Sequence, residues 1–156
     1  MAAAFNFSVP DSALPGIVWP AVPDQSGNIL LTLLFQLEQS QWWPPERLRA
    51  AQFSQAGKLL RHAHQSVPFY SKRLGQAGYD PEAAIDEESW LDLPLLSRAD
   101  IQLADKDLWS RALPKSHGKA GKIVTSGSTG TPVEWLSTGL TSIFWNLFTV
   151  RDFLWR

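Results

Sequence analysis

Apolar positions along the chain fall into blocks of different period, which predict helices first and strands afterwards. The most apolar run is 29–37, ILLTLLFQL. It is far shorter than the ~20 residues a bilayer span needs, and it reads as a buried core helix. Residues 44–67 turn helical: Pro44 and Pro45 suit a first turn, Glu46 favours the positive end of the dipole, and Leu48, Phe53, Leu59, Leu60 and Ala63 recur at near-helical spacing. Pro68 should end that helix, because the residue before a proline is pushed out of the α region. Residues 69–77 then predict a short basic helix closed by Gly78, and Asp80 with Pro81 predicts the start of another. Ser97 with Asp100 three residues on resembles a capping box for a helix through Leu103.

After Leu113 the texture changes. PKSHGKAGK, residues 114–122, reads as a loop carrying Lys115, His117, Lys119 and Lys122, the one dense cluster of positive charge. Residues 123–125 read as the end of a strand and 133–136 as a second strand. Ser137 or Thr138 then caps a helix through Trp155, with Leu140, Ile143, Phe144, Leu147, Phe148 and Leu154 on one side. The order predicts an α/β fold: a helix-rich portion before residue 113, then a few strands of a larger sheet around one loop. Residues 1–43 are expected to form an extended arm and the short apolar helix, and 44–156 the body of the domain. Pro10, Pro15, Pro20 and Pro23 break the arm, and no positive stretch precedes it, so neither a helix nor a secretory signal fits.

Composition narrows the function classes. With 156 residues, 44% of them hydrophobic and 19% charged, the chain has the content of one ordinary globular domain. A formal net charge of -1 gives no global field to draw it to nucleic acid or an anionic membrane, so any anion recognition has to be local. The lack of cysteine excludes disulfides, thiolate zinc sites and a Cys nucleophile, and it fits a reducing, cytoplasmic setting. Eight Trp and eight Phe call for a large apolar partner surface, inside the chain or outside it.

The chemistry concentrates in IVTSGSTGTPVEW, residues 123–135. Gly127 and Gly130 free the backbone to turn successive N–H groups toward one point, and Ser126, Ser128, Thr129 and Thr131 add hydroxyl donors there. Donors without fixed charge, backed by a lysine-rich loop, suit a polyphosphate whose charge redistributes during reaction. The stretch is not the P-loop GxxxxGK[ST]: no Lys follows Gly130, and Pro132 prevents an immediate helix. On these residues alone, a plain hairpin connection stays open as the alternative.

TSGSTGTP resembles the phosphate-binding loop of the adenylate-forming superfamily of acyl- and aryl-CoA ligases. Val133 stands where that loop often carries Lys, which points toward the phenylacetate-CoA ligase branch. Residues 59–78, LLRHAHQSVPFYSKRLGQAG, resemble that branch's helix pair with its PFY turn, and 93–101, LPLLSRADI, resembles its Leu-Pro-x-Leu-(Ser/Thr)-(Lys/Arg)-x-Asp segment. The resemblance implies a carboxylate attacking the α-phosphorus of ATP, departure of pyrophosphate, and capture of the adenylate by a thiol, usually coenzyme A. It implies ATP-phosphate contacts from Ser126, Gly127, Ser128, Thr129, Gly130 and Thr131, with Ser128 and Thr129 foremost and Lys122 a weaker candidate. The family's Mg²⁺-holding acid, ribose-binding Asp and C-terminal Lys all lie downstream of this loop. The chain therefore reads as the N-terminal piece of such a ligase, inactive by itself, with an uncovered aromatic face that favours self-association.

Other candidate chemistry is thin. His62 and His64, two apart on a helix, should diverge and not share a metal. Asp86, Glu87 and Glu88 read as a solvated face, and the aromatic residues of the last helix as core. A non-catalytic module that binds a phosphate ligand or a protein partner remains the second function class.

Overall fold

The computed structural model of the chain describes residues 11–125 and 132–155. Among them the fold is mixed α/β and helix-rich, with one two-stranded sheet. The chain divides into two compact units, Trp42–Ser142 and the pair of segments Met1–Gln41 with Ile143–Arg156.

The larger unit is built on α2 (Pro45–Ser66) and α3 (Pro68–Gln76). Pro45 sits at the start of α2, where its missing N–H costs nothing, and Glu46 lies in the first turn. Val67 is extended ahead of Pro68, which breaks the helix and folds α3 back along α2. That corner buries Val67 and Leu74, the latter 2% exposed. α3 ends as the sequence predicts, with Gly78 at φ +74, a backbone that side chains disfavour.

Asp80 and Pro81 do not start a helix. Asp80 O and Oδ1 accept from Ala83 N (3.3 Å) and Glu82 N (2.9 Å), so the segment closes as a local turn, the usual outcome when an Asx side chain competes for nearby N–H groups. The helix that follows is α4 (Glu87–Leu91), capped by Asp86, whose Oδ1 accepts from Ser89 N at 2.9 Å. α5 (Arg98–Ala104) carries the expected capping box of Ser97 and Asp100. Hydrogen bonds from the Ser89 side chain and N–H hold the Asp86 carboxyl below its ordinary pKa, and those from Ser97 do the same for Asp100. Asp100 also meets Arg73 Nη1 of α3 at 3.3 Å, and Arg73 Nη2 donates to Leu95 O, so α5 and the 93–96 segment are tied to α3.

Past the 3₁₀ turns Asp105–Leu108 and Lys115–His117 come β1 (Gly121–Val124) and β2 (Glu134–Ser137), paired antiparallel with Gly121 opposite Ser137 and Val124 opposite Glu134. Thr138 caps α6 (Gly139–Leu154), its Oγ1 accepting from Thr141 N at 3.3 Å. Gly118 takes φ +79, a backbone that side chains disfavour, and an added Cβ there would meet Gly139 at ordinary van der Waals distance.

In the smaller unit, α1 (Gln25–Ser40) is capped by Asp24, whose Oδ1 accepts from Gly27 N at 2.7 Å. The expected helix is there, but none of its residues is buried, and Phe35 is 65% exposed. From Ile143 onward α6 belongs to the same unit. Leu147 is 1% exposed and Arg151 Nε lies 3.5 Å from Glu38 Oε1. Phe144, Trp145, Phe148, Phe153 and Trp155, expected as core, are exposed. The aromatic residues of α6 are spread among Thr141, Ser142, Asn146, Thr149, Arg151 and Asp152, and of its apolar side chains the row Leu140, Ile143, Leu147 and Val150 is the least exposed.

Candidate functional site

Short strands bring the ends of the glycine-rich loop together. Beyond the four register pairs, Thr125 N donates to Val133 O at 3.0 Å, and Val133 N donates to Thr125 Oγ1 at 2.9 Å. The Thr125 hydroxyl therefore fills a ladder position that backbone alone would leave open, and the two strands close at the root of the loop. Ser126, Gly127, Ser128, Thr129, Gly130 and Thr131, the residues expected to contact phosphate, lie outside the described residues.

Lys122 is placed clearly. Its Nζ lies 2.5 Å from Glu134 Oε2 on the same face of the ribbon, diagonal to its register partner Leu136, and 5.9 Å from the Trp109 ring. Its charge is thus held by a carboxylate and an aromatic face. Lys115 lies in the exposed 3₁₀ turn and Lys119 in the exposed stretch before β1. Positive charge surrounds the approach to β1, and within the ribbon it is balanced.

The two helical histidines diverge as the spacing predicts. His64 stacks edge-on against Tyr79, ring centroids 5.8 Å apart. His62 Nε2 lies 3.1 Å from Ser66 Oγ and 3.2 Å from Ser110 Oγ. The His62–Ser66 pair could have been read from its four-residue spacing on a helix. Ser110 could not, because it comes from a segment 48 positions away. Burial pushes the Tyr79 phenol above its ordinary pKa, and its hydroxyl, shielded from solvent, has no hydrogen-bond partner among the described residues.

An apolar cleft of about 540 Å³ runs between α2, α3 and the 90–96 segment, lined among others by Leu59, Tyr70, Leu74 and Trp90. Among the described residues no group of three His, Cys, Asp or Glu side chains is placed to hold a metal ion, and no helix is long and apolar enough to cross a membrane.

Compared with known proteins, the chain is 30% identical over 89 residues to the phenylacetate-coenzyme A ligase of Thermus thermophilus. The matched stretch is 57% of this chain and 20% of that enzyme, so the chain spans about one fifth of the relative's length. No family model matches the chain. The local likeness is to part of a phenylacetate-CoA ligase.

Proposed function

We propose that this chain supplies the helical scaffold and phosphate-gripping loop of an ATP-dependent acid–thiol ligase, which activates a carboxylate as its adenylate and passes the acyl or aryl group to a thiol such as coenzyme A. The observation that carries the reading is the closure of β1 and β2 at Thr125 and Val133, from which TSGSTGTP departs as one connection between adjacent strands. The partial likeness to a phenylacetate-CoA ligase supports it from a second side.

In this reading the backbone N–H groups of residues 126–131 and the hydroxyls of Ser128 and Thr129 grip the β- and γ-phosphates of ATP. When a carboxylate oxygen attacks the α-phosphorus, the bond to the bridging oxygen breaks and negative charge grows on the departing pyrophosphate. Neutral donors already aimed at that charge lower the barrier without reorganising. Lys122, committed to Glu134, contributes background field and not a direct grip. Mg²⁺, when bound, would neutralise part of the phosphate charge, but the described residues offer no acidic cluster for it, and no residue of this chain is assigned to the metal or to coenzyme A. A cytoplasmic setting, with ATP and reduced thiols at hand, goes with this chemistry.

The test is a chimera in which this chain replaces the matching segment of the Thermus thermophilus ligase, assayed by carboxylate-dependent exchange of labelled pyrophosphate into ATP. Ser128→Ala with Thr129→Ala should cut exchange by on the order of 10²-fold or more while sparing thiol capture of preformed adenylate. Unchanged exchange in the double variant would leave TSGSTGTP an ordinary hairpin loop. The 156-residue chain alone is expected to bind pyrophosphate without exchange, and turnover by it would show that the catalytic groups are misassigned.

A further inference from the structure

The cluster of His62, Ser66 and Ser110 is assigned no part in the phosphate chemistry, yet its three side chains lie within hydrogen-bond reach of one another. Ser66 Oγ donates to His62 O at 2.7 Å, and Ser110 Oγ donates to Ser66 Oγ at 3.0 Å. Each hydroxyl has a single hydrogen, so both are then used. Both oxygens still lie within hydrogen-bond reach of His62 Nε2. A bare Nε2 would set its lone pair against a lone pair of Ser66, whereas a hydrogen on Nε2 bridges the two oxygens. In this arrangement Nε2 completes the network by donating; with Ser110 Oγ turned to donate to Nε2 instead, Nε2 accepts. The donor arrangement satisfies both serine oxygens at once and makes the ring a clamp, not a base that activates either of them.

What the donor fastens is the strap 109–111. Arg111 N donates to Ser66 O at 2.8 Å, which adds a main-chain bond at the same point. Beside Ser110, the Trp109 ring faces Lys122 Nζ of β1, and Lys122 is held across the ribbon by Glu134. The contacts form a continuous path from the last turn of α2, through the strap, to the strand that leads into residues 126–131.

We propose that His62 is a positioning residue for the phosphate loop: as an Nε2–H donor to Ser66 and Ser110 it pins the 109–111 strap to α2, and the strap supports β1. The functional half of this inference rests on the reading of the loop given above. His62→Gln keeps an N–H donor of similar reach, and His62→Leu removes it. In the ¹⁵N-labelled chain, long-range proton–nitrogen spectra should show the Nε2–H tautomer at His62. Amides of 109–111 and of Gly121–Val124 should shift in His62→Leu and return toward their original positions in His62→Gln. Titration with inorganic pyrophosphate should weaken roughly threefold to tenfold in His62→Leu and stay within about twofold in His62→Gln. If His62→Leu does not fold, Ser110→Ala, which removes one acceptor, should move the same β1 amides. A neutral Nδ1–H tautomer, or changes confined to α2 with pyrophosphate response intact, would overturn the proposal. A parent chain blind to pyrophosphate would sink the phosphate reading alone, while the tautomer and the β1 shifts would still decide the clamp.

Discussion

Replacing Leu74 with Ala should remove a large part of the stability of the larger unit. Leu74 is 2% exposed at the α2–α3 corner, where Val67 is the other buried apolar side chain among the described residues. The substitution deletes three carbons, worth about 0.8 kcal/mol each in transfer free energy, or about 2.4 kcal/mol together. Leucine-to-alanine changes in closed cores cost more because a cavity remains. Here the vacated space opens onto the apolar cleft that Leu74 lines, which lets the walls relax and keeps the total near about 2.5–3 kcal/mol. With a urea slope of about 1.5 kcal/mol/M, the unfolding midpoint should fall by about 1.5–2 M, read by helical circular dichroism. Leu95→Ala, at a side chain 90% exposed, should move it by less than about 0.5 M. Equal effects of the two substitutions, or a Leu74→Ala midpoint within about 0.3 M of the parent, would refute the placement of the core.

Tyr79→Phe should be neutral or stabilising by up to about 1 kcal/mol, because it deletes a shielded hydroxyl with no partner among the described residues; a clear loss in thermal unfolding would contradict this. Since burial raises the Tyr79 pKa, the stability tied to the neutral phenol is fully present below about pH 10 and is lost as pH rises through the raised value, so alkaline unfolding should shift upward in Tyr79→Phe. Asp86 and Asp100 behave with the opposite sign: their folded values lie below the ordinary carboxylate pKa, so their capping is present above about pH 4 and is lost as pH falls through the lowered values, and amide exchange should quicken first in α4 and α5. The exposed aromatic residues of α6, with Trp145 75% exposed, should drive concentration-dependent association; a monodisperse monomer across a wide concentration range in sedimentation velocity would contradict this.

Local rules carried most of the helical layout. Pro44, Pro45 and Pro68 bound α2, Gly78 ends α3, and Ser97 with Asp100 starts α5, because prolines, capping hydroxyls and left-handed glycines act within a few residues of themselves. Asp80 begins a turn and not the expected helix for a related reason: an Asx residue before proline begins turns and helices alike, and the choice falls to residues further on. Burial was the hardest property to read. An apolar pattern says that a face would gain from cover, and only tertiary structure says whether cover exists, so Phe35, Phe144 and Trp145 read as core and are exposed. The strand pair and the root of the loop were legible from β-leaning ends around glycine and hydroxyl residues. The pairing of Lys122 with Glu134 was not foreseen, and the Ser110 contact to His62 arises from separation in sequence that no local pattern encodes.

The grip of residues 126–131 on a polyphosphate can be measured directly by amide-resolved titration of the ¹⁵N-labelled chain with inorganic pyrophosphate, in parallel with the Ser128→Ala, Thr129→Ala variant. The account predicts saturable shifts centred on residues 125–133 of the parent, with affinity weakened by about tenfold or more in the variant, which loses two hydroxyl donors to a charged ligand. Shifts centred elsewhere, or an identical response in the two proteins, would contradict it.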